Sequence, residues 1–521
     1  MATQWQTFPI EFRGGLISNQ SRLQQGTNAV GSATFLQNFE VNKEGGYTKI
    51  KGYEKFSDTT VPGSGPVLGL KVVDSGKVLA ARKNASNLTE WYYGSGTTWT
   101  SMGAGTFLGN KARHVTFKLG TNVQVAIVDG VNFPAVYDTG DDSLTYMTAS
   151  DSSDVEGADH VAFFKSTAFY AKNNILYFTA PLTVDDFSVA NGAGTINVSH
   201  DVTGLVVFRD QLIVFTENTV QRITGTTAAD FTMSPITDRI GCISADTIQE
   251  VGGDIMYVAP DGIRLLSATD RIGDFGLDIA SDVIAKDANK FLANSSLYTS
   301  LLFRDRAQYR ILSYVESEQA ETSKGLIATK LVAQGAGSIA WSTTFGIKAY
   351  VADSVYSGNS ETVCFANEDG YIYELGTGAS FDGARIEAIY ESPYMPMGDP
   401  QIRKTLYKMA LYAEPSGSMN LDVNIKYDFD TQTSAAIVQP NIIEIRSTGE
   451  SVFIFGETTS VFSDDSEDPT ATRYGGVLDN VYNKHATGSG KTVALRIEDN
   501  STNPSFTLDT VVLEYKTNDR Q

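Results

Sequence analysis

The sequence predicts an all-β protein built around a β-propeller of six to seven four-stranded blades, with seven as the best count. Three observations lead to this fold class. Glycine is abundant, with 47 residues among 521, proline is sparse with 14, and Tyr (24) and Phe (27) are frequent. That mix favours strands joined by tight turns. A hairpin pattern recurs at a constant interval, and the C-terminal part of the chain alternates apolar with polar residues.

The recurring hairpin consists of an apolar strand, a short turn rich in Asp, Asn and Gly, and an alternating strand. It occurs in VQVAIVDGVNFPAVYD, AFYAKNNILYF, LIVFTENTVQRI, IMYVAPDGIRLL and LLFRDRAQYRIL. One turn position in each lies 44 residues after the one before, at Asp129, Asn173, Glu217, Asp261 and Asp305. Asn84 lies 45 residues before this series and Asp369 lies 64 residues after it. A period of this length is what one four-stranded blade requires.

Three regions follow from the repeat. Residues 1–62 precede it as an extended N-terminal segment, 63–384 form the propeller, and 385–521 form an antiparallel β-sandwich-like domain. The long interval before Asp369 contains ESEQAETSKG (316–325), which we interpret as an inserted loop. The C-terminal alternation is clearest in KTLYKMALYAE, MNLDVNIKYDF, KTVALRIED and FTLDTVVLEYK.

One helix is predicted within the propeller region. In LDIASDVIAKDANKFL, apolar residues recur at helical spacing on one face, namely Ile279, Val283, Ile284, Ala288 and Phe291. We expect this short helix to pack against a blade, and a subunit contact is the alternative.

Charge and cysteine content exclude several classes of function. The chain carries 40 basic and 61 acidic residues, a net charge of −21, which repels phosphate backbones and argues against ordinary DNA binding. Cys242 and Cys364 cannot form a disulfide framework in so long a chain and are expected as small buried side chains. The N-terminus lacks the regions of a signal peptide, and no apolar run is long enough to span a membrane. We therefore expect a soluble protein folded in a reducing cytoplasm.

A short motif, GSGKT (488–492), resembles the end of a phosphate-binding P-loop. The full pattern needs a glycine where His485 stands and a helix after the threonine. The following VALRIED alternates as a strand. We therefore interpret the glycines as a hairpin turn.

Metal and catalytic sites are not predicted, and no cofactor is expected. The four histidines, which are His114, His160, His200 and His485, lack ligand-like spacing. No GxSxG nucleophile elbow occurs. The acidic stretches TGDDS (139–143), SDSSD (150–154) and DDSEDP (464–469) lack the alternating ligand loop of a calcium site. We expect exposed turns there.

Glycosidases also use propellers, so the sialidase turn S-x-D-x-G-x-T-W was compared with GSGTTW (94–99). Gly96, Thr98 and Trp99 match, but Gly94 stands at the Asp position and the motif does not recur. Carboxylates alone do not indicate a glycosidase, because the separation of a carboxylate pair cannot be read from sequence. The sequence predicts no enzyme.

The opening segment resembles the start of tail nozzle proteins of short-tailed phages, also called tubular tail protein B, and of the related packaged-DNA stabilisation proteins. The matching stretches are FRGGLISNQSRL (12–23) and LQNFEVNKEGGYTKIKGYEKF (36–56). Within them the family's positions are occupied by Gly15, Leu16, Asn38, Gly45, Gly46, Lys51, Gly52 and Phe56.

Further matches are scattered along the chain. They are LVVFRDQLIVFTENTVQRITG (205–225), PITDRIGCISADTI (235–248) with Gly241 and Cys242 in its turn, MYVAPDGIRLL (256–266), and ALRIEDNSTNPSFTLDTVVLEYK (494–516). The matches are structural, and the chain is at the compact end of the family's length range.

The resemblance implies a structural virion protein, located in the phage tail and assembled in the host cytoplasm. It implies a homo-hexameric ring around the DNA channel, with residues 1–62 contacting an adaptor or gatekeeper ring. Tail fibre or spike proteins would be further partners. DNA would pass without specific binding, because lumenal acidic residues repel phosphates over a Debye length of about 10 Å. Two alternatives stay open, a glycan-binding or glycan-cleaving propeller of a phage tail, and a cytoplasmic propeller scaffold.

Overall fold

The computed structural model describes most of the chain in segments. They are residues 5–74, 76–95, 97–227, 229–266, 279–294, 297–331, 339–358, 360–429, 442–448, 452–454, 473–475 and 481–518. Strand accounts for 54% of the chain and helix for 8%. The all-β class is confirmed.

The chain divides into two compact units, each built from separate stretches of sequence. The propeller unit comprises Lys55–Gly325 and Gly346–Leu375, and the second unit comprises Met1–Glu54, Leu326–Phe345 and Gly376–Gln521. Residues 1–54, which the sequence separated from the C-terminal domain, therefore belong to the same unit as 376–521.

The N-terminal residues contribute one short helix and five short strands. Helix α1 is Arg22–Asn28, and the strands are β1 Gln6–Glu11, β2 Phe35–Gln37, β3 Phe39–Val41, β4 Tyr47–Lys49 and β5 Tyr53–Lys55. Ser21 caps α1 by accepting a hydrogen bond from the backbone N–H of Gln24.

Six blades of four strands form the propeller arrangement. In the first four, strands adjacent in sequence pair antiparallel. Their strands are β6 Ser64–Asp74, β7 Lys77–Lys83, β8 Thr89–Gly94 and β9 Trp99–Ala104, then β10 Arg113–Lys118, β11 Val123–Val128, β12 Ala135–Asp138 and β13 Ser143–Tyr146, then β14 His160–Phe164, β15 Thr167–Lys172, β16 Ile175–Phe178 and β17 Gly194–Asn197, then β18 Val202–Phe208, β19 Gln211–Thr216, β20 Val220–Thr224 and β21 Thr232–Thr237.

A three-stranded sheet follows the fourth blade. Its strands are β22 Gln249–Val251, β23 Asp254–Ala259 and β24 Gly262–Leu265. The best count of seven four-stranded blades thus differs by one from the six that the structure has, because this sheet has three strands within the described residues. The range of six to seven blades is confirmed.

The remaining blades and helical turns complete the propeller region. The strands are β25 Leu297–Phe303, β26 Gln308–Tyr314, β27 Lys324–Lys330, β28 Ile339–Phe345, β29 Val351–Ser357, β30 Ser360–Ala366 and β31 Ile372–Leu375. The helices are α2 Ala149–Ser152 and α3 Ala285–Asn294, and the 3₁₀ turns are Ser153–Val155, Val189–Asn191, Ala245–Thr247, Asp282–Ile284 and Ala320–Thr322. None of the described helices combines the length and apolar content needed to cross a membrane.

The ring closes where the last blade meets the first. Strand β29 packs beside β6, and the backbone N–H of Phe56 donates to the carbonyl of Ile372, so a segment from before the first blade extends the last one. Arg82 lies at this seam with 7% of its surface exposed and donates to the carbonyls of Val61, Gly65 and Glu368. This guanidinium holds the two ends of the propeller together.

The cores lie between neighbouring blades, as the repeat predicts. The cluster between the third and fourth blades contains Phe169, Leu176, Leu212 and Val214, all fully buried. Equivalent clusters join the other neighbours, including one around Val72 and Ile372 at the closing seam. Burial of blade against blade, which supplies about 25 cal/mol per Å² of apolar surface, is therefore the main stabilising contribution of this unit.

One turn in the 44-residue series is not equivalent to the others. Asn84, Asp129, Asn173, Glu217, Asp261 and Asp369 lie between the second and third strands of their sheets, whereas Asp305 lies between β25 and β26, the first two strands of its blade. Helix α3 lengthens the connection before β25, so the repeat loses phase there. Residues 316–323 of ESEQAETSKG (316–325) lie in the connection from β26 to β27, where the equivalent turn of this blade falls, and Lys324 begins β27.

The predicted helix is present but shorter than the apolar pattern suggested. In the helical part, Ile284, Ala288 and Phe291 are buried as expected. Val283 is 37% exposed, because the chain begins this segment as the 3₁₀ turn Asp282–Ile284, whose residues follow a different angular spacing. Ile279 pairs with Arg264 in an isolated β-bridge and so lies outside the helix.

The second unit contains the remaining strands. They are β32 Ile386–Glu391, β33 Lys404–Pro415, β34 Ser418–Tyr427, β35 Ile443–Thr448, β36 Val452–Ile454, β37 Arg473–Gly475, β38 Val481–His485, β39 Ser489–Gly490, β40 Val493–Ser501 and β41 Phe506–Thr517. One sheet runs β3-β4-β41-β33-β38, with β1 also paired to β41 and β39 to β33. A second sheet path contains β28, β2, β32, β40, β34 and β35 in that order.

Buried side chains join these two sheets into the expected sandwich. The ring of Tyr47 on β4 lies 5.6 Å from that of Tyr390 on β32. Beside them the ammonium of Lys49 lies 2.7 Å from a carboxylate oxygen of Asp499, and the two side chains are 1% and 0% exposed. Lys49 also donates to the carbonyls of Ser501 and Asn503.

Candidate functional site

The inner strands of the propeller unit converge on a polar cavity of about 210 Å³. Every inner element contributes to its wall, from β6, β10, β14 and β18 to the 3₁₀ turn Ala245–Thr247, β25 and β29. In a propeller this position is the central axis, where ligands and substrates have access to all the blades at once. The cavity is therefore the candidate functional site of this unit.

One ion pair in the wall joins the first and last blades. The ammonium of Lys71 lies 2.8 Å from Asp353, and the same carboxylate oxygen accepts the backbone N–H of Val72. Burial raises the pKa of Asp353, but Lys71 and His114 outweigh it, so the pKa is lower than usual. The carboxylate is thus ionised and already bonded.

A second group of charges spans the axis. Asp246, before β22, lies 3.1 Å from Arg113 of β10 and 3.3 Å from Lys111. Burial opposes ionisation, yet these two cations lower the pKa of Asp246 to about 2. Burial in turn lowers the pKa of Lys111. Asp246 thus serves as the counter-charge of both Lys111 and Arg113, and each of these three charges has an opposite charge within 3.3 Å.

Two histidines line the same cavity. The Nε2 of His114 donates to the carbonyl of Leu70 at 3.0 Å, and that of His160 donates to the carbonyl of Val202 at 3.1 Å. Burial lowers the pKa of both rings, and that of His160 falls to about 3, with Arg113 as a further cause. Both rings are therefore neutral at pH 7 and each joins its blade to a neighbour.

Two hydroxyl groups also line the cavity. The hydroxyl of Thr299 accepts a hydrogen bond from the ammonium of Lys111 at 2.9 Å and donates to the carbonyl of Tyr350. The hydroxyl of Ser300 donates to the carbonyl of Asp246. The arrangement links the blades through ion pairs and hydrogen bonds.

The GSGKT segment is a turn in the structure. Strand β40 begins at Val493, where a P-loop would have a helix. The backbone N–H groups of Lys491 and Thr492 donate to a carboxylate oxygen of Asp428, at 2.6 and 3.0 Å. The donors that would hold a phosphate are therefore occupied by an acidic side chain. The segment turns as expected, but the prediction of a hairpin is wrong, because β39 pairs with β33 whereas β40 pairs with β32 and β34 in the other sheet.

The acidic stretches behave as self-bonded turns where they are described. Asp141 accepts the backbone N–H and the hydroxyl of Ser143, and Asp151 bonds Thr148 in a capping box at the start of α2. DDSEDP (464–469) lies outside the described residues. Across the described ranges, no group of three or more His, Cys, Asp or Glu side chains could hold a metal ion.

The cysteines and Trp99 are structural. Cys242 and Cys364 are buried free thiols, as predicted, and burial raises the pKa of Cys242 to about 11. The indole of Trp99 donates to the carbonyl of Thr59 and packs beside the closing seam. Of the partial sialidase match, Gly94 ends β8 and Trp99 begins β9, while Gly96 lies outside the described residues.

Sequence reasoning missed the axial residues, although one signal was available. His114 and His160 lie 46 residues apart, about one blade period, and occupy the start of successive inner strands. The charged residues have no such spacing, because the members of each ion pair lie far apart in sequence. They are Lys71, Lys111, Arg113, Asp246 and Asp353.

Comparison with protein families found none that matches the sequence. No protein of characterised function matches it either.

Proposed function

We propose that this protein is a structural component of a short-tailed phage virion, a tail nozzle that surrounds the DNA channel as a hexameric ring. The observation that carries the proposal is the position, in the structure, of the residues that resemble the nozzle family. Gly15 has a φ of +67°, and a Cβ there would stand 2.7 Å from the carbonyl oxygen of Trp341. A Cβ on Gly52 would stand 1.8 Å from the carbonyl oxygen of Ser380. Both glycines are thus required by close backbone contacts in the second unit.

Other residues of the same stretches make hydrogen bonds that a loosely attached N-terminal segment would not make. The side chain of Asn38, at a φ of 53°, donates to the carbonyl of Glu387 and accepts the backbone N–H of Phe345. Leu16 donates its backbone N–H to Trp341. The stretches on which the resemblance rests are therefore framework residues, consistent with a structural protein.

The axis and the overall charge also support this role. An ion-paired cavity of about 210 Å³ leaves no room for a DNA duplex within one propeller, so a DNA channel requires several copies around a common axis. A net charge of −21 per chain would keep DNA from adhering to such a channel wall.

The test is the copy number and position of the chain in the native particle. Quantitative mass spectrometry and cryo-electron microscopy of isolated virions should find six copies in the tail, and the isolated chain should be largely monomeric in size-exclusion chromatography. Absence from virions would favour a cytoplasmic scaffold, and catalytic turnover of saccharides by the purified chain would favour a glycosidase. Either result would overturn the proposal.

A further inference from the structure

The outer face of one sheet in the second unit exposes large aromatic side chains. Strands β1, β41, β33 and β38 are neighbours in this sheet. Antiparallel sheets that face water usually present polar residues there. Here Trp5, Tyr407 and Tyr412 are 46%, 48% and 39% exposed. Exposed aromatic groups of this kind mark binding surfaces more often than chance positions.

A β-bulge directs Tyr407 outward. The register between β33 and β41 shifts between Leu406 and Lys408, so Tyr407 is the extra residue of the bulge. Bulges of this kind re-aim a side chain at functional positions. His485, at the end of β38, lies opposite Lys408, and Trp5 directly precedes β1.

These side chains meet as a continuous aromatic row, defined as Trp5, Tyr407 and His485. The ring centroids of Trp5 and Tyr407 are 4.7 Å apart, and those of Tyr407 and His485 are 5.3 Å apart. The ammonium of Lys516 lies 5.8 Å from the Trp5 ring. The row therefore crosses the sheet at right angles to its strands and brings together residues from both ends of the chain.

The polar atoms of the row remain available. Within the described part of the chain, the hydroxyl of Tyr407, the indole N–H of Trp5 and the ring nitrogens of His485 make no hydrogen bond to the protein. His485 also lines a neighbouring cavity of about 350 Å³ with Glu444, Lys484 and Thr487. Exposed ring surface thus lies beside unused donors and acceptors and a concave space.

We propose that the aromatic row binds a neutral pyranose-containing glycan. A pyranose ring has an apolar C–H surface that packs on an aromatic ring and hydroxyls that need donors and acceptors at its edge, and the row offers both. Single-stranded nucleic acid also stacks on aromatic rings, but the net charge of −21 opposes a polyanion. The site lies outside the propeller, and the inference does not depend on the nozzle role.

The test uses the full-length chain and three neutral probes, maltohexaose, cellohexaose and hexa-N-acetylchitohexaose. Binding is followed by tryptophan fluorescence, to which Trp5 is the most exposed contributor, since Trp91 and Trp341 are 1% and 0% exposed and Trp99 is half-buried. At least one probe should give saturable quenching. Tyr407→Ala should weaken binding about tenfold, the loss expected for one aromatic contact. For Trp5→Ala, which removes the reporter, calorimetry replaces fluorescence and the same weakening is expected.

Tyr412→Ala is the matched control, because Tyr412 is an exposed tyrosine on the same strand outside the row. It should bind the probe as the unmodified chain does, and circular dichroism should show all three variants folded. Lack of saturable binding by all three probes at millimolar concentrations would overturn the proposal, as would an equal loss in Tyr412→Ala. Protection of Trp5 by a virion protein, without saccharide binding, would instead identify a protein interface and would also overturn it.

Discussion

The two compact units differ in how far apart in the sequence their paired strands lie. In the propeller unit, a strand pairs with the strand that follows it in sequence, as in His160–Phe164 with Thr167–Lys172. In the second unit, Gln6 lies opposite Tyr515, and Lys49 bonds Asp499 across 450 residues of sequence. The first unit forms through short-range hairpins, whereas the second requires the two ends of the chain to meet.

The units also treat buried charge differently. The Lys71–Asp353 pair at the propeller axis keeps 11% and 15% of its side-chain surface exposed, whereas Lys49 and Asp499 keep 1% and 0%. Partial exposure lets water stabilise a charge that loses its partner, and full burial does not. Loss of a single charge should therefore lower the stability of the second unit more than that of the propeller unit.

Each unit contains a buried tryptophan that can report its unfolding. Trp91 lies in the propeller unit and Trp341 in the second unit. Variants in which Trp91 or Trp341 is the single tryptophan, with the other three of the four replaced by Phe, allow two transitions to be followed separately, as a chain of more than one unit requires. Every variant below should shift the transition of its own unit.

The largest effect is expected for Lys49→Met. It leaves the fully buried carboxylate of Asp499 without a counter-charge, and the free energy of unfolding followed by Trp341 should fall by about 4 kcal/mol. Denaturant titration measures the change. The double variant Lys49→Met with Asp499→Leu should recover most of the loss, and an equal shift of the Trp91 transition would contradict the separation of the units.

Acidification should weaken the propeller unit through His160. The unfolded chain takes up a proton as the pH falls through 6.5, whereas the folded chain, with a His160 pKa of about 3, does not. The free energy of unfolding should therefore drop by about 3 kcal/mol between pH 6.5 and pH 4. In His160→Gln the drop in the Trp91 transition should be smaller by about this amount, and part of what remains should come from His114, whose pKa burial also lowers. The exposed His200 provides the control, and a flattened pH profile in His200→Gln would count against this explanation.

Arg82→Met tests the closing seam. The substitution removes the charge-assisted hydrogen bonds to three carbonyls that tie the first blade to the last, at a cost of about 2 to 3 kcal/mol in the Trp91 transition. Burial lowers the pKa of Arg82, and its hydrogen bonds to these carbonyls keep the guanidinium in place. Limited proteolysis should also become faster near residues 55–65. Unchanged stability would mean that apolar packing alone closes the ring.

The smallest effect is expected for Asp246→Asn. At pH 7 the variant should be less stable by about 2 kcal/mol, because Lys111 and Arg113 lose their counter-charge. The pKa of Asp246 is lowered to about 2, so the stabilisation is present above pH 4 and is lost as the pH falls towards 2. The difference between variant and unmodified chain should therefore be smaller at pH 3 than at pH 7. An equal difference at pH 3 and pH 7 would mean that the changed shape of the side chain, and not its lost charge, lowers the stability.

Much of the propeller could be predicted from the sequence, since its hairpins are local. The turns at Asp129, Asn173, Glu217 and Asp261 fall where their period places them. Asp305 keeps the spacing of 44 residues but lies between the first two strands of its blade, because helix α3 before β25 shifts the repeat by one strand. A spacing argument measures sequence distance and cannot detect such a shift.

The candidate sites were less predictable. His114 and His160 looked unrelated as single residues, although they share a position in successive blades. The aromatic row joins residue 5 with residues 407 and 485, and no periodicity links positions so far apart. Its bulge is visible only in the register between β33 and β41.

By itself, the sequence determined the all-β class, the blade length and the absence of a P-loop, because side-chain alternation and turn residues act over a few positions. Only the tertiary structure decided that residues 1–54 belong with the C-terminal strands, that Asp246 faces Arg113 across the propeller axis, and that Lys49 meets Asp499. These pairings are set by which surfaces bury each other best once the strands exist, and that competition among distant segments leaves no local signal in the chain.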